Sequence, residues 1–196
     1  MANLQKSNCK NETIGLKESS MISYVRATSE EELEQILVLQ RKNLQTVISS
    51  EEKNKEGFVT VSHTFEILKE MNDVCPHIIA KSDDKVVGYA LCMHPKFADE
   101  IEVLKPMFDE IEAIVPKIEN YIAMGQICVD KAFRKMGIFR KLYETMQAAI
   151  RPEFDTIITE VDSENTRSLQ AHYAVGFTEL KTYRSGGRVW KLIGWK

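Results

Sequence analysis

A mixed α/β fold, a sheet covered by helices, is what three features of the sequence predict. MGQICV, GIFRKLYETMQAAI and TIITEV follow one another over 124–161 as buried strand, amphipathic helix and buried strand, which is the pattern of a parallel strand–helix–strand unit. Apolar runs flank SDD at 82–84 and SGG at 185–187, so two antiparallel hairpins accompany that unit. With 43% hydrophobic and 28% charged residues among 196, the composition fits one folded domain and argues against disorder.

The elements follow in order. ISYVRAT, 22–28, alternates and predicts a first strand. Ser29 with Glu32 forms a capping box for a helix that carries Leu33, Ile36, Leu37 and Leu44 at helical spacing. SSEEKNKEG, 49–57, reads as a polar linker closed by Gly57. A second helix is expected over 62–72, with Phe65, Leu68 and Met71 on one side, stopped by Pro76. HIIAKSDDKVVGYALCM, 77–93, is the first hairpin, folding about Asp83 and Asp84. Pro95, Pro106 and Pro116 then break 95–121 into an irregular, acid-rich insertion, which as a charge run reads first as a solvated face. In the parallel unit, Phe139, Leu142, Tyr143, Met146 and Ile150 share one helix face, and Pro152 prevents extension. SENTRSLQAHYAVGF makes a short helix ending at Gly176, and FTELKTY with RVWKLIGW closes the chain as the last hairpin. Chemistry is expected at the carboxyl ends of the parallel strands.

A formal net charge of −3 weakens any nucleic-acid reading, because phosphate-backbone binding normally needs a broadly basic face. RKMGIFRK as a small RNA-binding element is the most distant reading. No run approaches the roughly 20 apolar residues of a membrane span, and MANLQKSNCKNETIG lacks the apolar core of a signal peptide. Cytoplasmic localisation without membrane association is therefore expected, NET at 11–13 reads as chance, and residues 1–20 read as a flexible extension ahead of one domain, 21–196. Cys9, Cys75, Cys92 and Cys128 form no CxxC framework, so free buried thiols and no metal are the expectation. Folding the first hairpin would nevertheless bring Cys75 opposite Cys92, with His77 and His94 nearby, where a zinc site or disulfide is the competing reading.

The stretch VDKAFRKMGIFRKL, 129–142, gathers cations around one glycine at the entry to a helix. Amide groups there have no carbonyl partner within the helix, and their partial charge adds to the helix dipole. Gly137 lets an anion approach the main chain, while Arg134, Lys135, Arg140 and Lys141 supply longer-range attraction. The expected occupant is a diphosphate, although neither GxxxxGK[ST] nor GxGxxG is present.

This stretch resembles the pyrophosphate loop of the GNAT acyltransferases, a superfamily that acylates amines with acetyl-CoA. Their pattern is a strand ending in Val, a few residues, then [RQ]xxGx[GA]. Here Val129 is followed by Arg134 and Gly137, and Phe139 replaces the small last residue, so its ring must turn into the core. NTRSLQAHYAVGF, 165–177, is similar to the family's second signature through Asn165, Ser168, Gly176 and Phe177. One crossover helix and one strand separate the two matches.

The resemblance implies a GNAT-like fold, mostly antiparallel, with the parallel unit forming the cofactor cleft. It implies acetyl-CoA as co-substrate, held along Ile127, Cys128 and Val129 and by the turn Arg134, Lys135, Met136, Gly137, Ile138, Phe139 and Arg140, with Asn165 orienting cofactor or strand end. A backbone N–H near Val129 would polarise the thioester, and strand alternation makes Cys128 a core residue rather than a nucleophile. The acceptor, a primary amine of a small molecule or peptide, needs a base; Glu160, Glu119 and the insertion carboxylates are the candidates. Many relatives carry a tyrosine acid seven residues after the motif Asn, where this chain has His172, followed by Tyr173. Both stand as candidate acids. An acceptor pocket made by the first two helices and the acidic insertion favours a cationic amine. The alternative is a non-catalytic acyl-CoA-binding or sensing module, and a homodimer is compatible with either.

Overall fold

The computed structural model of the chain describes residues 21–114 and 116–196, so the extension over 1–20, with Cys9 and the NET triplet, lies outside the described residues. A seven-stranded sheet runs through the molecule. Its strands are β1 (Ile22–Arg26), β2 (Ile78–Ser82), β3 (Lys85–Met93), β4 (Tyr121–Val129), β5 (Thr156–Asp162), β6 (Thr178–Ser185) and β7 (Arg188–Trp195), in the spatial order β1-β2-β3-β4-β5-β7-β6. Every neighbouring pair is antiparallel except β4 with β5. The two predicted hairpins are β2–β3 and β6–β7.

Helix α1 (Glu30–Asn43) begins with the expected capping box: the Ser29 hydroxyl accepts from the Glu32 amide at 3.2 Å, while Glu32 Oε2 accepts from the Ser29 amide at 3.3 Å. Such a cap contributes about 1 kcal/mol. Leu33, Ile36, Leu37 and Leu39 of α1 are buried in one core cluster with α3 (Phe65–Val74) and α4 (Lys105–Glu112). α5 (Ile138–Ile150) buries Ile138, Leu142, Tyr143, Met146 and Ile150 on the sheet's other face, with α6 (Thr166–Val175) beside it. Each buried side chain of that size contributes about 1.5–3 kcal/mol of transfer free energy.

Two expectations are corrected here. The polar segment 49–57 is not a linker: Ser50–Glu56 forms α2, opened by Ser49, whose hydroxyl accepts from the Glu52 amide at 3.2 Å, and closed at Gly57. The acidic insertion is not merely a solvated face either. Its apolar residues Phe97, Leu104, Met107, Phe108 and Ile111 enter the core, and Glu102, Glu110 and Glu112 pair with Lys105, Lys181 and Lys117.

Cys75, Cys92 and Cys128 are free thiols, and among the described residues no three His, Cys, Asp or Glu side chains converge on a metal position. Cys75 and Cys92 share one core cluster, where the Cys92 amide donates to Nδ1 of His77 at 3.1 Å. No helix among the described residues is long and apolar enough to cross a membrane.

Candidate active site

Strands β4 and β5 run side by side only from Tyr121↔Thr156 to Ala123↔Ile158, and beyond that register they part. The cause is visible on β4: between Met124, which pairs with Cys92, and Ile127, which pairs with Ala90, β4 carries one residue more than β3. A bulge at Gly125–Gln126 bends the strand away from its parallel neighbour. Where the ladder ends, the Thr159 hydroxyl donates to the Met124 carbonyl at 2.9 Å.

Past the bulge, the Asp130 amide bonds the Val87 carbonyl, so the alternating antiparallel pattern turns the main chain of Ile127 and Val129 away from β3 and towards the gap. A cavity of about 520 Å³ opens there, lined by Ile127, Cys128 and Val129, the loop before α5, Ser168 and Ala171 of α6, and Gly57–Val59. The three predicted edge residues therefore come together with the predicted loop. Cys128 is 7% exposed, and burial pushes its thiol up to about 12, which leaves it protonated and inert as a nucleophile.

The loop is shaped by its backbone. Lys135 has φ +64° and Gly137 φ +78°, and Gly137 caps α5 without any side-chain hydrogen bond, so the first amides of α5 open into the cavity region unpartnered by a cap. A Cβ placed on Gly137 would meet nothing within 4 Å; the requirement for glycine is the left-handed conformation and the open approach to the amides.

The cations are deployed differently from expectation. Arg134 turns inward, donating from Nε to the Val129 carbonyl at 3.1 Å and from its terminal nitrogens to Glu56 and Asn43, each at 2.7 Å. Arg140 reaches the Ala174 and Val175 carbonyls, completing the end of α6, and Lys141 pairs with Glu144 at 3.2 Å. Sequence spacing shows where a cation sits along the chain, not which carboxylate or helix end packs beside it. Lys135 and Arg167 line the cavity and make no ion pair among the described residues. Met136 is exposed beside them.

Phe139 does turn its ring inward, edge-on to Tyr143 and His172 at centroid distances of 5.3 and 5.1 Å. That cluster removes His172 from the cavity. His172 is 1% exposed, its Nδ1–H donates to the Ser168 carbonyl at 2.7 Å, and its Nε2 accepts from the Tyr143 hydroxyl at 2.7 Å. Burial pulls its pKa down to about 4, so the ring is neutral at neutral pH with both nitrogens engaged. Neither His172 nor the more exposed Tyr173 lines the cavity. Asn165 is also a structural link: its Oδ1 accepts from the Ser168 amide at 3.3 Å as the cap of α6, and its Nδ2 donates to the Phe58 carbonyl at 3.0 Å. Gly57, at φ +76°, permits this approach, since a Cβ there would lie 3.1 Å from Asn165 Oδ1.

The segment after Gly57 crosses the other face of the gap, held by a buried polar network that the sequence reading missed. Gln40 Nε2 lies 2.9 Å from Gln126 Oε1 and 2.8 Å from His63 Nδ1, spending both its hydrogens; Gln40 Oε1 accepts from the His63 amide at 2.9 Å. Tyr89 donates to Gln126 Oε1 at 2.6 Å, and Gln126 Nε2 donates to the Val61 carbonyl at 2.8 Å. His63 Nδ1 is thus an acceptor, and its proton sits on Nε2, a buried donor without a partner among the described residues. For α2, Ser49 three residues before Glu52 was a legible signal; nothing local announces Gln40 with Gln126.

Glu160 lies two residues beyond the last β4–β5 pair, level with Gly125 at the mouth of the gap. It shares its face with Ile158, and the Tyr183 hydroxyl donates to its Oε2. Burial raises its pKa to about 7 against the lowering effect of that hydrogen bond. Glu119, by contrast, is exposed at the amino end of β4, away from the gap.

Parallel strands parted by a bulge, an uncapped helix start and a cavity between them make a site for an extended anionic ligand, and the acetyltransferase (GNAT) family matches residues 42–177. The chain belongs to that family. Solved structures share its fold. Ard1 from Thermoplasma volcanium aligns with TM-score 0.61 at 13% identity, covering 89% of this chain and 96% of that one. The ribosomal-protein-S18-alanine N-acetyltransferase from Escherichia coli aligns with TM-score 0.57 at 11% identity, over 89% and 92%. Arabidopsis thaliana Naa50, in complex with the bisubstrate analogue CoA-Ac-MVNAL, aligns with TM-score 0.58 at 14% identity, over 89% and 98%. No curated protein matches the chain significantly in sequence. Within this GNAT domain the β4 edge, the loop before α5 and the strap Gly57–Val59 line the cavity, while Glu160 lies outside that lining, on β5 two residues past the last β4–β5 pair.

Proposed function

We propose that the chain is an N-acetyltransferase that transfers an acetyl group from acetyl-CoA to a primary amine of a small molecule or peptide, by direct attack in a ternary complex. The observation that carries this reading is the coincidence of an unpaired β4 edge, an uncapped α5 start and a carboxylate poised near neutrality at one gap. The residues present fit the co-substrate: free amides and Lys135 suit its diphosphate, and the Ile127–Val129 edge suits its pantetheine amides. Acetyl-CoA supplies the activated acetyl group. The Ile127 and Val129 amides facing the gap are placed to donate to a thioester oxygen, where burial strengthens the bond. Glu160 takes the proton of the attacking amine; with a pKa of about 7 it is substantially ionised at neutral pH, while a simple amine, near 10, is mostly protonated and needs such a base.

His172 acts as a packing residue in this scheme, and the proton for the departing thiolate comes from solvent or from the base. A cationic acceptor is favoured by the acids of the 95–112 stretch that make no ion pair among the described residues, Asp99, Glu100 and Asp109.

The test is thiol release from acetyl-CoA across a panel of small amines and peptide amino termini. Turnover with amines is expected, with cationic ones preferred; reaction of anionic acceptors alone would remove that preference. Thermal stabilisation by acetyl-CoA with no thiol release from any amine would instead support the sensing module.

A further inference from the structure

The contact between Tyr183 and Glu160 spans the full width of a strand. β7 lies between β5 and β6, Glu160 pairs with Leu192, and Tyr183 pairs with Trp190, so the phenol passes diagonally over buried Leu192 on the sheet face that both side chains share. Its hydroxyl donates to Glu160 Oε2, while Glu160 Oε1 has no hydrogen-bond partner among the described residues. One oxygen is anchored and the other is left open.

We propose that Tyr183 is the positioning residue of the site: it holds the carboxylate of Glu160 by one oxygen and leaves the other to receive the proton of the acceptor amine. This rests on the reading of Glu160 as the base. The proton passes from the acceptor nitrogen to Oε1, and the phenol keeps its own proton throughout. A phenol that donates to a carboxylate favours the charged form, whereas the apolar surroundings favour the neutral one. Without the hydroxyl, burial acts unopposed and the carboxyl is mostly protonated at neutral pH, so that only a minority can accept a proton.

Other charged groups around the pair are accounted for. Glu110 of α4 bears on Tyr183 and is itself ion-paired to Lys181 of β6. Asp162, two residues along β5 on the same face, is held by Arg188 at 2.5 Å. β7 presents apolar Leu192, and β4 presents Gln126, which is neutral and bonded to Tyr89 and Gln40.

Two measurements on the full chain test this. Carbon-13 titration of the glutamate carboxyls, with the Glu160 resonance assigned by its loss in Glu160→Gln, needs no acceptor. The wild-type midpoint is expected near 7, and Tyr183→Phe is expected to raise it by about one pH unit. An unchanged or lower midpoint overturns the proposal. Turnover of the best amine in the panel, at saturating acetyl-CoA, should then show its acidic limb displaced upward by the same amount in Tyr183→Phe. Rate should recover at high pH, with an unchanged KM for acetyl-CoA. A uniform loss at every pH with the limb fixed marks a merely structural tyrosine and overturns the proposal. Should Glu160→Gln retain wild-type turnover, the base reading fails and takes the proposal with it. A limb abolished in Glu160→Gln but fixed in Tyr183→Phe removes Tyr183 alone.

Discussion

The two walls of the gap between β4 and β5 are built from different material. The wall carrying α5 is made of main chain: unpaired strand amides, a loop with two left-handed residues and an uncapped helix start, all within 127–140. The other wall, on the sheet face away from α5 and outside the cavity lining, is made of side chains brought from far apart: His63 on Gln40, Gln40 and Tyr89 on Gln126, and Tyr183 on Glu160. A backbone wall can be gripped by any ligand that offers oxygens at the right spacing, while a side-chain wall sets protonation and selects the acceptor. Binding and chemistry should therefore separate under mutation.

Glu160→Gln is the largest test of that separation. Turnover is expected to fall by about 10²–10⁴-fold, the usual contribution of a general base, while the affinity for CoA measured by calorimetry stays at the wild-type value. A parallel loss of affinity would merge the two walls into one. Gly137→Val should produce the mirror image: its φ of +78° is strained for a β-branched residue. The side chain also obstructs the α5 amides, so CoA affinity is expected to drop about 100-fold, equivalent to roughly 3 kcal/mol. Unaltered binding would mean that the amides are not the receptor.

His172 sharpens the comparison from the α5 side. His172→Phe strips Tyr143 and the Ser168 carbonyl of their partner, and a stability loss of about 1–3 kcal/mol is expected in urea unfolding. Turnover of the folded variant should remain within about threefold of wild type, far below the loss expected of a general acid; collapse of turnover at undiminished folding would return this histidine to the chemistry.

Acid should act on the same residue. Its folded pKa, about 4, lies below the ordinary value of 6.5, so the unfolded chain binds the extra proton first. Stability is full above about 6.5 and declines as pH falls towards 4, by up to about 3 kcal/mol from this group. His63, also held near 4 by burial, adds in the same direction. Unfolding of His172→Phe followed between pH 7 and 4 should show a shallower decline than wild type. Smallest of all, Glu56→Gln removes the charge partner of Arg134, a half-buried pair worth about 0.5–1 kcal/mol after screening; with a carboxylate gone from the cavity lining and Arg134 released, a modest strengthening of CoA binding that fades at high salt is expected.

The same division explains what could be read in advance. Strands β4 and β5, helix α5 and the loop between them were legible because periodicity and a glycine at a helix start are local properties, and the fold followed from their order. The bonds of Arg134 to Glu56 and Asn43 and of Arg140 to Ala174 and Val175 were not, since these partners are set by packing between residues 34 to 91 positions apart. His172 fell at the expected offset from Asn165, yet a residue's place on a helix says nothing about which aromatic rings close around it. Tyr183 carried no signal, because its meaning depends on β7 lying between β5 and β6. Helix α2 was missed despite its Ser49–Glu52 cap because it buries no apolar stripe.

The central claim, that main-chain amides at the start of α5 hold the diphosphate of coenzyme A, is tested most directly by titrating nitrogen-15-labelled protein with CoA and following amide resonances. The largest shifts are expected at Gly137, Ile138, Phe139 and Arg140, lost in Gly137→Val. Shifts confined to other elements, or none at saturating CoA, would contradict it.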